Sequence, residues 1–195
     1  IASIISTVIG TISAIAIHDM SPRKKAILTN LSYIPMVNPD IVIGISLLSF
    51  FSILNLKLGY ITLILAHITF NIPYVIFAVL PKLQQLNPNI EEAALDLGAT
   101  PIQAFFKVIL PEIMPGIITG SLLAFTLSLD DFIVSFFTTG SGVSTLSIKV
   151  YSMTKRGISP KINALSSLMF IAVLALMLLL QLRDAKNKSQ SDNVR

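Results

Sequence analysis

The 195-residue sequence contains no cysteine and only two histidines. Without cysteine the chain can form neither a disulfide nor a thiolate metal site, and its cysteine usage gives no indication of the redox compartment. The two histidines, His18 and His67, are too few and too far apart in sequence for a histidine metal site. We therefore expect neither a metal ion nor a cofactor.

Charged side chains are also scarce, at 12% of residues against 53% hydrophobic residues. A mean hydropathy of +0.80 is too high for an ordinary soluble domain of this length. The charges sit in short clusters between long apolar runs, as expected where charges must avoid hydrocarbon. A net charge of +4 could indicate nucleic acid, but no basic stripe interleaved with aromatic residues accompanies it, so no nucleic-acid partner is expected. The composition predicts an integral membrane protein.

Two sequence signals are missing as well. The chain starts inside an apolar run, without an initiator methionine, a basic leader or a cleavage site, so we expect a fragment and not a signal peptide. It also lacks the G-x-x-x-x-G-K-[ST] phosphate loop, so ATP hydrolysis by that motif is excluded for this chain.

What the sequence does contain is a series of apolar segments near the length of about 20 residues that a membrane helix needs. The candidate spans cover residues 1–17, 26–54, 60–80, 116–137 and 163–182. No soluble domain fits between them, so residues 1–182 are predicted to form one all-α membrane domain. Residues 183–195 are predicted to be a polar, disordered cytoplasmic tail. Nine of the 14 Lys and Arg residues fall on one side if the turn at residues 23–25 is cytoplasmic, which favours that orientation.

The connection at residues 89–111 carries the most informative pattern. Four apolar residues in it fall on one face of a short helix: Ile90, Ala93, Ala94 and Leu97. Glu91 and Glu92 suit the helix N-terminus, Gly98 is a natural stop, and Pro101 can open a second helix. The segment predicts a helix-turn-helix on the membrane surface, although the periodicity alone fits any amphipathic interfacial loop.

The residue types in this loop add a resemblance. Glu92-Ala93-Ala94 is followed after three residues by Gly98, and after nine more by Val108-Ile109-Leu110-Pro111. The pattern resembles the EAA loop of binding-protein-dependent ABC importer permeases, which has Ile where this chain has Val108. Segments 38–40, 67–70, 128–131, 149–153 and 159–160 extend the resemblance over nearly the whole chain. They are similar to the spermidine/putrescine permease branch, and within it to the C-type subunit.

The resemblance implies a six-span, MetI-like permease fold in the bacterial cytoplasmic (inner) membrane, with about five of the six spans present here. It implies four kinds of partner besides membrane lipid: a homologous permease subunit, an ABC ATPase dimer, an extracytoplasmic substrate-binding protein and a polyamine substrate. The ATPase would be a separate polypeptide, so this chain is not expected to be an enzyme. The docking residues carried over from the family are Glu92, Ala93, Ala94 and Gly98, with Leu110 and Pro111 supporting the loop.

Only three charged residues lie within the predicted spans, and all are acidic: Asp40, Asp130 and Asp131. Each costs about 2.5–3.5 kcal/mol at a helix centre on insertion scales, and no Lys or Arg lies in a predicted span to pair with it. At a rise of 1.5 Å per residue, Asp40 and Asp130 lie about 21 Å from the starts of their spans, at similar depth. One interpretation is a carboxylate cage for an amine-bearing cation. The other is that the carboxyl groups bond to helix backbone, water or a partner's basic residue, or are protonated.

Adjacent aspartates point about 100° apart on a helix, so only one of Asp130 and Asp131 is expected to face a pathway. Pro39 is expected to break the second span. His67 and Asn71 share a helix face and could line the pathway, but an interhelical hydrogen bond is the favoured role. A Gly pair at positions 116 and 120 predicts tight helix packing.

The expected function is that of a polyamine ABC permease subunit. An ABC permease for another solute is the alternative, because the EAA loop indicates transport driven by an ABC ATPase but does not indicate the substrate. An ion-coupled transporter or channel using the aspartates as a relay is a second class. An intramembrane enzyme fits least, because the sequence contains no convincing nucleophile–base pair or metal constellation.

Overall fold

The computed structural model describes residues 1–155, 160, 163–164, 166–175 and 177–178. The chain divides into two compact units, Ile1–Ile148 and Lys149–Arg195. Throughout the described residues the secondary structure is helical, with no strand. The predicted tail at residues 183–195 lies outside the described residues.

The first unit is a succession of helices of very different length. They are α1 (Ala2–His18), α2 (Pro22–Val37), α3 (Asp40–Ile53), α4 (Tyr60–Gln85), α5 (Ile90–Asp96), α6 (Pro101–Ala104), a π-helical turn (Phe105–Ile109), α7 (Leu110–Asp130) and α8 (Ile133–Thr138). Helix α9 (Leu146–Lys155) begins at the end of this unit. The second unit contains the rest of α9 and an apolar helix, α10 (Ser166–Ala175).

Two helical stretches among the described residues are long and apolar enough to cross a membrane, Tyr60–Gln85 and Pro101–Asp130. A third crossing results if α2 and α3 are counted as one broken span, and α1 and α10 are shorter apolar helices. Each predicted span is therefore largely helical where it is described, and the all-α membrane fold is confirmed. The number of five crossings stays a prediction.

The predicted second span at residues 26–54 is not one straight helix. It starts earlier, at Pro22, and divides into α2 and α3, whose axes are bent by 102°. Asn38 is extended, with φ −72° and ψ 140°, because the ring of Pro39 disfavours the helical conformation in the residue before it. The expected break at Pro39 is thus confirmed, and it turns the chain sharply.

The predicted fourth span at residues 116–137 is wrong at both ends. The helix that contains it begins at Pro101 and ends at Asp130, and α8 follows as a separate helix. Asp131 leaves the helical conformation, with φ −59° and ψ 122°, and its side chain caps the helix that comes next. The cap therefore divides an apolar run that hydropathy alone reads as continuous.

The main core lies where α1, α4 and α7 meet. Its buried members are Ala14, Ile17, Val75, Ile76, Val79, Leu80, Leu83, Ile113 and Ala124. A Cβ on Gly116 would lie 2.8 Å from the carbonyl oxygen of Ala78, and one on Gly120 would lie 3.2 Å from the Cα of Val75. The predicted tight packing of this glycine pair is confirmed, because only glycine lets α7 approach the α4 backbone so closely.

A smaller apolar cluster joins α3, α4 and α8. It contains Phe51, Ala66 and Val134, and α3 approaches α8 closely at Gly44, where a Cβ would lie 2.8 Å from the ring of Phe137. This contact fixes α8 against the helix that starts at Asp40.

Candidate functional site: coupling loop and acidic recess

Residues 89–111, here called the coupling loop, contain the predicted short helix as a separate element. Helix α5 covers Ile90–Asp96. It ends in a Schellman motif: the Gly98 N–H donates to the Leu95 carbonyl at 2.9 Å, and the Ala99 N–H donates to the Ala94 carbonyl at 3.1 Å. Gly98 has φ +86°, in the left-handed region that glycine enters without strain. The predicted stop at Gly98 is therefore confirmed.

The second helix of the loop opens at Pro101, as expected. Thr100 caps it: its Oγ1 accepts from the Gln103 N–H at 3.3 Å, and the Gln103 Oε1 accepts from the Thr100 N–H at 3.1 Å. The expectation of a separate surface helix is nevertheless wrong. From Pro101 the helix continues without interruption to Asp130, over 30 residues.

A π-helical turn at Phe105–Ile109 makes this continuity possible. Pro111 has no N–H to donate to the carbonyl of residue 107, and the preceding Leu110 N–H instead reaches back five residues to Phe105. Leu110 packs against the main core, whereas Pro111 is exposed at the first turn of α7. Leu110 is thus the residue of this pair that anchors the loop to the bundle.

The docking residues expected from the motif differ in exposure. Glu92, Ala93 and Gly98 are exposed, while Ala94 is buried where α5 packs on the segment at residues 101–109. Leu97, expected on the apolar face with Ala94, is 89% exposed because it is the C-cap and lies outside the helix. Sequence reasoning missed that Leu97, Ile102 and Phe106 are all exposed apolar residues in one short loop.

The coupling loop rests against the ends of two core helices across a recess of about 360 Å³. Its walls include Ile15 and His18 from α1, Leu83 from α4, Glu91 from α5 and Phe105 from the π-helical turn. Helix α5 therefore lies beside the ends of α1 and α4.

The three aspartates of the predicted spans line a second recess, also of about 360 Å³, called the acidic recess below. Its lining residues are Asp40, Phe70, Leu127, Asp130, Asp131, Phe132 and Ile133. Asp40 is the first residue of α3 and Asp130 the last of α7, so two helix breaks 90 residues apart meet here. The premise of a continuous helix from residue 26 to Asp40 is wrong, yet the fold brings the three residues together.

Asp131 differs from the other two. Its side chain is only 5% exposed, and its two oxygens accept the N–H groups of Val134 at 3.1 Å and Ser135 at 2.7 Å. Within the part of the chain that the structure describes, neither Asp40 nor Asp130 has a side-chain hydrogen bond or ion pair, and both are exposed. Asp130 is therefore exposed while the Asp131 side chain is engaged, but not through helical spacing as expected, because Asp131 lies outside the helix. Which of the two faces a pathway stays a prediction.

His67 and Asn71 form the interhelical hydrogen bonds that the sequence favoured. His67 Nε2 lies 2.9 Å from Ser135 Oγ and 3.5 Å from Asp131 Oδ2, and Asn71 Nδ2 donates to Ser128 Oγ at 2.7 Å. Sequence reasoning sought only Lys or Arg partners for the aspartates and so missed His67. The usable signal was a buried-face histidine together with an Asp131-x-x-x-Ser135 spacing, which places both partners on one helical turn.

Among the described residues, no group of three or more His, Asp or Glu side chains is arranged to hold a metal ion. The recess offers instead two carboxylates, Asp40 and Asp130, that are exposed and have no side-chain partner among the described residues, beside aromatic and aliphatic side chains. Exposed carboxylates attract cations electrostatically.

Apolar helices long enough to cross a membrane, broken helices and an acidic recess are features of integral membrane transport proteins. The model of the family described as "Binding-protein-dependent transport system inner membrane component" matches residues 6–187. The chain belongs to this family and is a permease component of the inner membrane.

Curated relatives agree with this assignment. The chain is 39% identical over 186 residues to the spermidine/putrescine transport system permease protein PotC of Haemophilus influenzae, covering 95% of this chain and 72% of the relative. It is 39% identical over 192 residues to PotC of Escherichia coli K12, covering 97% and 72%. It is 47% identical over 145 residues to the putrescine transport system permease protein PotI of the same strain, covering 71% and 52%.

Proposed function

We propose that this chain is the permease subunit of an ATP-driven importer that carries polyamines, spermidine or putrescine, across the inner membrane. The observation that carries the proposal is the acidic recess, in which Asp40 and Asp130 are exposed and unpaired among the described residues. The names of the relatives support the same substrate class.

The physical basis is that the carboxylates are negatively charged, lie in predicted membrane spans, and would face a positively charged substrate. Carboxylates in membrane helices are costly to insert, and a bound cation or pathway water lowers that cost. Opposite charges about 4 Å apart attract by about 4 kcal/mol at the effective dielectric near a protein surface, against about 1 kcal/mol in bulk water. A substrate with two or more ammonium groups can use Asp40 and Asp130 together, which an uncharged solute cannot.

The energy would come from an ABC ATPase dimer that docks on the coupling loop. Glu92, Ala93 and Gly98 are exposed and can touch it, and the exposed Leu97 adds apolar area. The buried Ala94 supports α5, and Leu110, next to the exposed Pro111, anchors the loop to the main core.

The complete machine would also contain a homologous permease subunit and an extracytoplasmic binding protein that delivers substrate. Residues 1–182 would form the membrane domain and residues 183–195 a cytoplasmic tail. The face of α1 with Ile4, Val8 and Ile12 exposed suits membrane lipid or a neighbouring helix.

Uptake of labelled spermidine and putrescine by the complete complex in proteoliposomes tests this function. We expect ATP-dependent uptake that putrescine and spermidine compete for and an uncharged osmolyte does not. Asp40→Asn and Asp130→Asn should each raise the KM. Asp19→Asn is the matched control, because it removes the same charge outside the acidic recess. Asp19 is the C-cap of α1 and pairs with His18 at 3.0 Å.

Two results would overturn the proposal. Uptake driven by an ion gradient in the absence of ATP would favour a secondary transporter. Wild-type KM values in both recess variants would show that these carboxylates do not contact the substrate.

A further inference from the structure

Helix α8 is too short to hold its own position. It has six residues, and an isolated helix of that length is not stable in water, so its contacts determine where it lies. Its first residue, Ile133, and the preceding Phe132 line the acidic recess. Whatever fixes α8 therefore shapes one wall of the recess.

Helix α4 holds α8 at both ends. At the start, His67 Nε2 lies between Ser135 Oγ at 2.9 Å and Asp131 Oδ2 at 3.5 Å. At the other end, Thr62 Oγ1 donates to the Thr138 carbonyl at 2.8 Å. His67 is 5% exposed and Ser135 is fully buried, so neither has water as an alternative partner.

Helix α8 also packs on α3, which supplies Asp40 to the recess. Gly44 lies four residues after Asp40 in α3 and is in close contact with Phe137 of α8. Ser147 Oγ also donates to the backbone carbonyl of Asp131, which fixes the bend between α7 and α8. The bend leaves Asp130 exposed at the end of α7 while Asp131 turns inward.

We propose that His67 is a positioning residue for the acidic recess: by holding Asp131 and Ser135, it keeps Asp131 as the cap of α8 and leaves Asp130 and Asp40 as the carboxylates that meet the substrate. This inference rests on the proposed function for the identity of the substrate. The three aspartates thus have two roles. Asp131 is unsuited to bind a cation, because each of its oxygens already accepts a backbone N–H and its side chain is almost fully buried.

The first test compares KM and Vmax of spermidine uptake by the complete complex, with rates normalised to assembled complex. His67→Leu keeps the bulk but removes the hydrogen bonds, and we expect the KM to rise about tenfold, with a smaller change in Vmax. His67→Gln places an amide nitrogen near the Nε2 position and should restore most of the affinity. Ser135→Ala is a milder variant for which the same direction is expected.

Thr69→Val is the matched control on the same helix. Thr69 is exposed, and its hydroxyl bonds only to the Leu65 carbonyl of its own helix, so its KM should remain that of the wild type. A wild-type KM in both His67→Leu and Ser135→Ala, or a KM in His67→Gln as high as in His67→Leu, would overturn the positioning role.

The second test needs no substrate. The 195 residues contain no native cysteine, so a thiol placed at Leu127, in the recess wall, can be labelled in a complex whose other subunits have been made cysteine-free. A cationic methanethiosulfonate reagent should react faster than an anionic one. Asp130→Asn should reduce this preference, whereas Asp131→Asn should leave most of it.

The labelling rate also reports on His67. His67→Leu should change the rate several-fold by releasing the wall, and His67→Gln should not. Equal loss of cation preference in Asp130→Asn and Asp131→Asn would overturn the division of roles. If the complex takes up no polyamine but these labelling results hold, the proposed substrate fails and the positioning role of His67 stands.

Discussion

Replacing Gly98 with valine tests the coupling loop through its backbone alone. A Cβ at Gly98 would meet nothing within 4 Å, so the substitution causes no clash and its effect comes from the φ of +86°. An L-residue pays about 1–2 kcal/mol in this region, and β-branched valine lies at the upper end. That cost corresponds to a factor of about 5–30 in the fraction of loops that keep the Schellman turn.

The expected result is a fall in affinity for the proposed ATPase subunit by up to the same factor, because only the ordered loop is competent to dock. Co-purification and titration of the ATPase on the detergent-solubilised permease measure it. Faster hydrogen exchange at the Ala99 amide, which bonds to Ala94, would report the loss of the turn directly. Gly98→Asn should be tolerated, since asparagine enters the left-handed region more easily.

Gly142→Val is the matched control. Gly142 has φ +87° and also no atom within 4 Å of an added Cβ, but it lies in the loop between α8 and α9. It should carry the same backbone cost and leave ATPase binding unchanged. The reasoning is refuted if both variants lose ATPase binding equally, or if Gly98→Val binds as the wild type does.

Two further predictions concern other parts of the molecule. Glu92→Lys should reduce ATPase co-purification without preventing membrane insertion, because Glu92 is exposed on α5. The control is Glu112→Lys, at the exposed first turn of α7. Equal losses of co-purification in both variants would contradict a specific docking role. Gly120→Leu should destabilise the α4–α7 contact by about 1–3 kcal/mol through overpacking against Val75, and this should lower the thermal midpoint of unfolding in detergent. Gly59→Ala, with open space at its Cβ, should change the midpoint little. An unchanged midpoint in Gly120→Leu would contradict the packing argument.

The helical segments were predictable because burial in lipid leaves a strong trace in hydropathy, but their ends were not. Proline is unfavourable inside a helix, which is an objection to a continuous helix from Pro101 through Pro111 and Pro115. A π-helical turn before Pro111 and the position of Pro111 in the first turn of α7 remove that objection. The position of the aspartates in sequence predicted carboxylates in the membrane, but not that Asp131 is a helix cap, because capping depends on where the chain bends.

The recess itself was only partly predictable. The depth argument for Asp40 assumed one helix from residue 26, whereas Pro39 bends the chain by 102°. Asp40 still meets Asp130 because each lies at a helix break, and breaks at membrane depth are tolerated where protein or water satisfies the freed backbone groups. The sequence carries the residue types and the breaks, while the pairing of two breaks is a property of the tertiary packing.

In the proposed importer, one helical stretch connects the coupling loop directly to the acidic recess. The second helix of the coupling loop begins at Pro101, and from there a single 30-residue helical stretch, about 45 Å long at 1.5 Å per residue, runs to Asp130. No flexible connection intervenes, so a displacement imposed on α5 and the loop reaches the acidic recess through one helix. The π-helical turn lies near the loop end of that helix, before the glycine pair that clamps α7 to α4. Bending at the π-helical turn would move the loop without moving Asp130. Only a rotation of α7 together with α4 would carry Asp130 away from Asp40. Productive coupling therefore requires that the contact of Gly116 and Gly120 with α4 holds while the loop moves.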